Sequence, residues 1–353
     1  MCSEHLGLPD YVRRNCSNPL ERCTNLTCRN LLSGDGGAAL YSTSSTFMSA
    51  NARTMLPDIA LAKASADCSG FKIQRGYHLA PLNEEEANFP LAFNILAHKN
   101  VDQVERLLRI LYRPQNVYCI HGDAKADAEF LVAMYSIARC FDNVFLASKL
   151  ERVHWAGFSR LQADVNCMKD HIGGKVRWRY LINTAAQAFP LRTNAEMVRI
   201  LKIYNGANDI EGMHGWRVLK TRFKVEWVEK DTGTPEKTGR ANPNPPHDID
   251  IIRGSAYGVF SRDFVRFIIN DKRATDLLQW SKKTWSPDEF YWATLHHRYS
   301  NPHLKAPGAH SGMHLSYLDY IVIVMHLSCH VYIFLNGLHL TSHKFFDTSA
   351  VGM

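Results

Sequence analysis

Two adjacent acids near the end of the chain are the residues whose types and spacing first suggest chemistry. Asp288 and Glu289 follow Ser286 and Pro287 in the stretch TWSPDEFYWATL. This order is typical of a helix N-terminus, in which the serine and the glutamate would bind each other's backbone N–H groups as a capping box. A carboxylate can also take a proton as a general base. From these residues alone, capping is the favoured interpretation and the catalytic alternative stays open.

The nine cysteines are dispersed along the chain rather than grouped. None forms a Cys-x-x-Cys pair, and no cluster of Cys and His has the spacing of a zinc site. Two Asn-x-Ser/Thr sequons, at Asn15 and Asn25, lie in the polar N-terminal region, where glycans are tolerated. The N-terminus has no apolar signal core. Together these features favour a secretory-pathway protein whose targeting segment is absent from this chain.

Composition and charge exclude several classes of protein. The 353 residues carry a net charge of +7 that is spread along the chain, so a nucleic-acid partner is not expected. The excess of positive charge is compatible with a polyanionic ligand such as a nucleotide diphosphate. No apolar run reaches the ~18–20 residues that cross a bilayer. The nearest run, residues 320–335, contains His326 and His330 and is interpreted as a buried strand.

The elements that must position the candidate residues begin after a segment rich in Ser, Asn and Gly, residues 1–67. Beyond it, strand-length apolar runs alternate with helical periodicity in the stretches FPLAFNILA, NVDQVERLLRILY, NVYCIHGD, AEFLVAMYSIARCF and NVFLAS. This order predicts a parallel, doubly wound sheet with right-handed connections. Ligands bind beyond the carboxyl ends of such strands, so His98, Asp123 and residues 148–155 are candidate site positions by topology.

Several stretches of the chain recur in the same order in one known family: FNILAHKN, QNVYCIHGDAK, CFDNVFLASKLERVHWAGFSRLQADVNCMKD, YLINTAAQAFPLRTN, RGSAYGVFSR and TWSPDEFYWATL. Over residues 68–310 the chain resembles the core 2 β1,6-N-acetylglucosaminyltransferases, Golgi enzymes that branch mucin-type O-glycans. The resemblance implies an α/β, GT-A-like fold with a doubly wound mixed sheet flanked by helices. It also implies inverting transfer of GlcNAc from UDP-GlcNAc to the 6-hydroxyl of GalNAc in Gal-β1,3-GalNAc on Ser or Thr.

The resemblance makes Glu289 the general base. A sugar hydroxyl is a poor nucleophile until a carboxylate takes its proton during attack on the anomeric carbon. One carboxylate is sufficient for inversion, because the leaving diphosphate needs neutralisation of its charge more than it needs a proton. A helix N-terminus also favours an ionised carboxylate, so the capping and base positions coincide.

The resemblance also places the substrate contacts. The residues that match donor contacts are Leu96, His98, Asp123 and Trp155. Glu211 matches an acid that binds the acceptor, and Arg217 is a candidate basic residue for the same substrate. Lys220 and Arg222 could equally form a solvated face. Four cysteines match paired ones, Cys68 with Cys140 and Cys119 with Cys167, and the chain-entropy model gives each bridge a stabilisation of ~3–4 kcal/mol.

A metal is not expected. Asp248 and Asp250 have the Asp-x-Asp spacing that binds a divalent cation in many GT-A enzymes, but they end residues 233–250, whose turn residues predict a long surface loop. The resembled family has no acid pair there and uses basic side chains on the diphosphate instead. Lys344 matches one of these, whereas the arginine of the pair is not recognisable near Cys329.

The resemblance divides the chain into three parts. Residues 1–67 are a stem or linker, residues 68–310 the catalytic domain, and residues 311–353 an atypical segment that partly matches the family's C-terminal donor-site region. The expected location is the Golgi lumen, as a type II membrane protein attached only through an N-terminal anchor that this chain lacks. The expected partners are UDP-GlcNAc and O-glycans on glycoproteins. Two alternatives stay open: a related O-xylosyltransferase, and a catalytically impaired variant that binds glycans or nucleotide sugars.

Overall fold

A five-stranded sheet forms the centre of the molecule, with strand order β3-β2-β1-β4-β8. The computed structural model describes residues 55–213, 220–231 and 233–309, and the backbone of Val322–Val324. Strands β1 to β4 run parallel, and β8 pairs antiparallel with β4. The sheet is therefore mixed and doubly wound, as predicted. Its strands are β1 Leu91–Ala97, β2 Val117–Gly122, β3 Val144–Leu146, β4 Tyr180–Ala185 and β8 Val259–Ser261.

Helices cover both faces of the sheet. Alternate residues of β1 point to opposite faces, so Phe93 and Ile95 lie in one hydrophobic core and Ala92 lies in the other. The helices that contribute to the first core are α1 Asp58–Ala64, α2 Cys68–Arg75, α4 Val101–Leu111, α5 Ala128–Ala138 and α7 Asn194–Tyr204. Those that contribute to the second are α6 Phe158–Gly173, α8 Arg262–Asn270, α9 Lys272–Trp280 and α10 Tyr291–His296, while the short α3 is Glu84–Ala87.

Two small antiparallel sheets lie beside the central one. Strand β5, Ala188–Pro190, pairs with β9, Val322–Val324, which falls within the run interpreted as a buried strand. Strand β6, Val225–Val228, forms a hairpin with β7, Glu236–Ala241. The prediction of a surface loop over residues 233–250 is therefore wrong for β7. This strand is exposed along its length and is held by pairing with β6, so it has none of the apolar alternation that would reveal it.

Both cysteine pairs expected from the resemblance are disulfide-bonded. Cys68–Cys140 joins the start of α2 to the end of α5, and Cys119–Cys167 joins β2 to α6. Helix α1 lies within the segment interpreted as a stem, yet it buries Leu61 in the first core. The folded domain therefore begins before residue 68. Within the described part of the chain, we find no helix long and apolar enough to span a bilayer.

Candidate active site

The carboxyl ends of β1 and β2 form one edge of the site. Leu96 pairs in register with His121, and the N–H of Asp123 donates to the carbonyl oxygen of Ala97 at 2.8 Å. Leu96, His98 and Asp123 are thus brought to the same edge of the sheet, as the βαβ pattern predicts. We call this group the donor edge.

Asp123 orders the loop that follows β3. It is buried, and its Oδ1 accepts hydrogen bonds from the N–H groups of Lys125 at 2.8 Å and Val153 at 3.3 Å. The N–H of Ala124 donates to the carbonyl oxygen of Glu151 in the same loop at 3.0 Å. Asp123 therefore fixes the chain just before Trp155, whose side chain is 70% exposed. The contacts of Asp123 explain its position structurally, whatever it binds.

His98 and two lysines determine the charge at the donor edge. Partial desolvation, together with the positive charge of Lys99, lowers the pKa of His98 below its ordinary value. The imidazole is therefore neutral at pH 7 and can both donate and accept a hydrogen bond. Lys125 lies 3.8 Å from Asp123 and also donates to the carbonyl oxygen of Val153. Positive charge at this edge comes from the lysines, not from the histidine.

The capping box proposed for Ser286 and Glu289 does not form. Ser286 has φ 48°, in the left-handed region, and its side chain makes no capping bond. Its N–H instead donates to the carbonyl oxygen of Ala156 at 2.7 Å, which ties this turn to the Trp155 loop. Residues Pro287–Glu289 form a single 3₁₀ turn, and α10 starts only after Phe290. The Glu289 carboxylate is therefore not used as a cap.

Arg222 binds the Glu289 carboxylate instead. Its Nη1 lies 2.5 Å from Oε2 of Glu289, and both side chains are only partly exposed. The sequence allowed Arg222 to belong to a solvated face, and that alternative is wrong because its guanidinium turns to this carboxylate. The carbonyl oxygen of Arg222 accepts from the N–H of Trp285 at 2.8 Å, which fixes the two segments together. The pair is 67 residues apart in sequence, so no local signal could have revealed it.

Asp288 lies in a different environment from its neighbour. It is buried, and desolvation together with the negative charge of Glu289 raises its pKa to about 6 against the attraction of Arg160. Its Oδ1 has no hydrogen-bond partner among the described residues. Asp288 is thus partly protonated near neutral pH.

A buried polar network lies beneath this turn. Arg160 donates to Asp164 at 2.6 Å, and the Asp164 carboxylate also accepts from the amides of Asn94 and Asn183, both at 3.0 Å. Arg160 also lies 5.5 Å from the centre of the Tyr257 ring. Arg160 and Asp164 are four residues apart on α6, a spacing at which a helical ion pair can be recognised from sequence. The network joins β1 and β4 to α6, and the charge of Arg160 acts on Asp288 in the turn that carries Glu289.

Glu211 is positioned through a close approach of two backbones. Its segment runs antiparallel to the one before β8, with Met213 and Arg253 exchanging backbone hydrogen bonds at 2.7 and 2.9 Å. The N–H of Gly254 donates to the carbonyl oxygen of Glu289 at 2.6 Å. A Cβ on Gly254 would lie 2.2 Å from the carbonyl oxygen of Glu211, so only glycine permits this packing. Glu211 therefore lies beside the Glu289 turn. We call Arg222, Glu289, Asp288 and Glu211 the base side.

The remaining predicted residues divide into two groups. Arg217, Lys344, Asn15 and Asn25 lie outside the described residues. Asp248 and Asp250 are described, and Asp250 exchanges backbone hydrogen bonds with the Asn301 side chain at 2.8 and 2.9 Å. Among the residues that the structure describes, no group of three or more His, Cys, Asp or Glu side chains is arranged to hold a metal ion.

Comparisons with known proteins converge. A sequence model described as Core-2/I-Branching enzyme matches residues 91–317. A β-1,3-galactosyl-O-glycosyl-glycoprotein β-1,6-N-acetylglucosaminyltransferase 4 from Danio rerio is 45% identical over 67% of this chain and 56% of that protein. The corresponding transferase 3 from Homo sapiens is 38% identical over 83% of this chain and 68% of that protein. An N-acetyllactosaminide β-1,6-N-acetylglucosaminyl-transferase from Mus musculus is 43% identical over 71% of this chain and 63% of that protein. The chain thus spans only part of the length of these relatives.

Proposed function

The chain belongs to the Core-2/I-branching enzyme family, and from this premise we propose that it is an inverting β1,6-N-acetylglucosaminyltransferase. Its donor is UDP-GlcNAc, and its acceptor is the 6-hydroxyl of GalNAc in Gal-β1,3-GalNAc O-glycans. The names of the relatives from Danio rerio and Homo sapiens support this acceptor. The observation that carries the proposal is the partly exposed Glu289 carboxylate, which is held by Arg222 rather than used as a helix cap.

Glu289 acts as the general base. As the acceptor oxygen forms its bond to the anomeric carbon of GlcNAc, its proton passes to the Glu289 carboxylate. The bond from the anomeric carbon to the diphosphate oxygen breaks on the opposite face, and its electron pair leaves with UDP. Arg222 orients the carboxylate for this transfer, and Glu211 binds the acceptor beside it, with Arg217 as a further acceptor contact.

The donor lies at the donor edge in this proposal. Leu96 and His98 contact the uridine, and Asp123 and Trp155 contact the nucleotide sugar. The role of Lys344 toward the diphosphate stays a prediction from the resemblance. No metal is required, because charge-assisted contacts to a leaving diphosphate can replace a cation. The lysine-derived positive charge at the described part of this edge is consistent with an anionic donor.

The protein acts in the Golgi lumen in this proposal, on O-glycans of glycoproteins. Two disulfides in the folded domain and two sequons in the N-terminal region support a place in the secretory pathway. No observation favours an O-xylosyltransferase or a catalytically impaired variant.

A donor and acceptor screen tests the proposal. The full chain, produced by secretion, is incubated with UDP-GlcNAc or UDP-xylose and with Gal-β1,3-GalNAc, in the presence and absence of EDTA. We expect turnover of the acceptor with UDP-GlcNAc and none with UDP-xylose. NMR of the product should show a β1,6 linkage to GalNAc, and EDTA should not change the rate. Turnover with UDP-xylose, or no turnover with either donor, would contradict the proposed function. Loss of turnover in EDTA that added Mn²⁺ restores would contradict its metal-free part.

A further inference from the structure

Ser286 has a backbone conformation that the local sequence disfavours. Its φ of 48° and ψ of 55° lie in the left-handed region, which residues other than glycine rarely adopt. The residue before a proline is also pushed toward extended conformations, and Pro287 follows directly. Strained conformations of this kind persist only where the surrounding structure imposes them, and they are concentrated at active sites.

Ala156, the residue that binds the N–H of Ser286, is also left-handed. It is the third residue of a turn that the N–H of Gly157 closes on the carbonyl oxygen of His154 at 3.1 Å, and its φ is 59°. Glycine is the usual residue where a turn needs positive φ. The carbonyl oxygen of Ala156 accepts from the N–H of Ser286 at 2.7 Å, and both residues are buried. We call this hydrogen bond the 156–286 contact.

The loop that carries Ala156 is anchored independently of the 156–286 contact. The N–H of Val153 donates to the carboxylate of Asp123 at 3.3 Å, and the N–H of His154 donates to Oγ of Ser159 at 2.8 Å. These bonds join the loop to the donor edge on one side and to α6 on the other. The loop is therefore a fixed support for the turn that binds to it.

The orientation of the Ser286 backbone passes directly to Glu289. The carbonyl oxygen of Ser286 accepts from the N–H of Glu289 at 3.1 Å, within the single 3₁₀ turn Pro287–Glu289. The other end of the turn is held where the N–H of Gly254 donates to the carbonyl oxygen of Glu289 at 2.6 Å. The Ser286 side chain makes no capping bond. The backbone of Ser286, rather than its hydroxyl group, therefore determines where the turn starts.

We propose that Ser286 is a positioning residue for the transfer reaction, which places the Glu289 carboxylate through its left-handed backbone and the 156–286 contact. The proposal rests on the proposed function, because it takes Glu289 as the general base. A substitution at this position is tolerated according to how readily the new residue adopts positive φ, whether or not it carries a hydroxyl group. Because the Trp155 loop has its own anchors, a change at Ser286 displaces the base and leaves the donor contact in place.

Two substitutions separate the backbone conformation of Ser286 from its chemistry. Ser286→Gly removes the hydroxyl group but adopts positive φ readily, whereas Ser286→Thr keeps the hydroxyl group but its branched Cβ disfavours positive φ. We expect kcat of Ser286→Gly to stay within about twofold of wild type and kcat of Ser286→Thr to fall about 10- to 100-fold, because the base is displaced. The KM for UDP-GlcNAc should change less than about twofold in both variants.

Two controls test whether the loss acts through Glu289. Lys305→Thr changes an exposed residue outside the base side that also has a φ of 50°, so it should lower the melting temperature by about 2–4 °C, as Ser286→Thr does, but leave kcat unchanged. In the Glu289→Gln background the base is already absent, so adding Ser286→Thr should cause no further loss of rate. A general disturbance of the domain would instead lower the rate in both backgrounds.

Hydrogen exchange measured by mass spectrometry separates this inference from the proposed function, because it needs no turnover. In Ser286→Thr we expect faster exchange of the amides of residues 285–290 and unchanged exchange at residues 150–157, whereas Ser286→Gly should match wild type in both segments. That result supports the positioning of the turn even if the chain transfers no GlcNAc.

Several results would overturn the inference. Equal losses of kcat in Ser286→Gly and Ser286→Thr would show that the hydroxyl group matters instead of the conformation. An equal loss in Lys305→Thr, or a further loss on adding Ser286→Thr to Glu289→Gln, would show that the effect does not act through the base. If Ser286→Thr does not fold, Ser286→Asn decides, because asparagine tolerates positive φ: retained kcat supports the inference, and lost kcat overturns it.

Discussion

The donor edge and the base side differ in how they are assembled. At the donor edge, Leu96, His98 and Asp123 each lie at or just beyond the end of a parallel strand, so the strand pattern alone brings them together. At the base side, Arg222 and Glu289 come from segments 67 residues apart and meet through side-chain contacts. Backbone topology builds the first region, and long-range packing builds the second. The donor edge should therefore tolerate loss of one side chain better than the base side does.

The two neighbouring acids of the base side also differ from each other, in their burial and in the charged groups around them. Glu289 is partly exposed and ion-paired with Arg222, whereas Asp288 is buried with a raised pKa. Two chemically similar residues therefore have different expected roles: proton transfer for Glu289 and support of the turn for Asp288. The adjacent sequence positions do not reveal this difference.

The largest expected effect is on catalysis at the base side. Glu289→Gln removes the proton acceptor, and we expect the transferase rate at saturating substrates to fall by about 10²- to 10⁴-fold. Loss of its partly exposed ion pair with Arg222 should cost only ~0.2–1 kcal/mol of unfolding free energy. Initial rates and urea unfolding curves measure the two quantities. Full activity in a folded Glu289→Gln protein would show that Glu289 is not the general base.

The control for that variant is Asp263→Asn, which changes an acidic side chain that is 74% exposed and paired with Arg266. It should leave both rate and stability within error of wild type. A rate loss in both variants would show that the assay reports a general change in the protein rather than loss of the base.

A large stability effect is expected from the network beneath the base side. Arg160→Met leaves the buried Asp164 carboxylate without its cation, and removing one partner of a buried ion pair typically costs ~3–5 kcal/mol. At the donor edge, Lys125→Met removes a longer ion pair of 3.8 Å with Asp123, whose lysine is partly exposed, and should cost ~0–1 kcal/mol. Urea unfolding of both variants gives the comparison directly. Equal costs would mean that the two regions do not differ as described.

The Cys119–Cys167 disulfide between β2 and α6 should matter for stability rather than for chemistry. Cys119 and Cys167 are 48 residues apart, and replacing both by alanine should lower the unfolding free energy by ~2–4 kcal/mol, because the unfolded chain gains conformational entropy. At a temperature where both proteins remain folded, we expect turnover at saturating substrates to change less than twofold. Differential scanning calorimetry and initial rates test this. A loss of activity as large as that of Glu289→Gln would place the bridge in the catalytic machinery.

A further expected effect is a pH dependence of stability at Asp288. Because the folded protein holds its proton up to about pH 6, against an ordinary pKa of 3.8, this group favours the folded state at low pH, and the benefit is lost as pH rises through 6. The displacement corresponds to ~3 kcal/mol at most. Asp288→Asn should therefore be more stable than wild type at pH 7 and similar to it at pH 4. Urea unfolding measured at both pH values checks the sign, and a larger advantage of the variant at pH 4 would refute it.

The sequence predicted the sheet, its helices and the donor edge because those depend on local periodicity. The resemblance added both disulfides, which the structure confirms, and an acceptor-binding role for Glu211, which stays a prediction. The interpretation of local patterns was wrong at Ser286, where the capping pattern is present but the N–H is bound to Ala156, and at β7, which lacks apolar alternation. The pairing of Arg222 with Glu289 could not be predicted from the sequence, and neither could the conformation of Ser286. In both cases the hydrogen-bond partner lies in a distant segment of the chain.

The sequence by itself determined which segments become strands and helices and which strand ends lie together at one edge of the sheet, since hydrogen bonding within helices and alternation along strands are encoded by near neighbours. Only the tertiary structure decided that Asp288 is buried, that Glu289 binds Arg222, and that Trp285 lies between Trp155 and Trp227 next to Arg222. The free energy of a charge or an aromatic ring depends on the groups that surround it, and in this protein those groups come from distant parts of the chain.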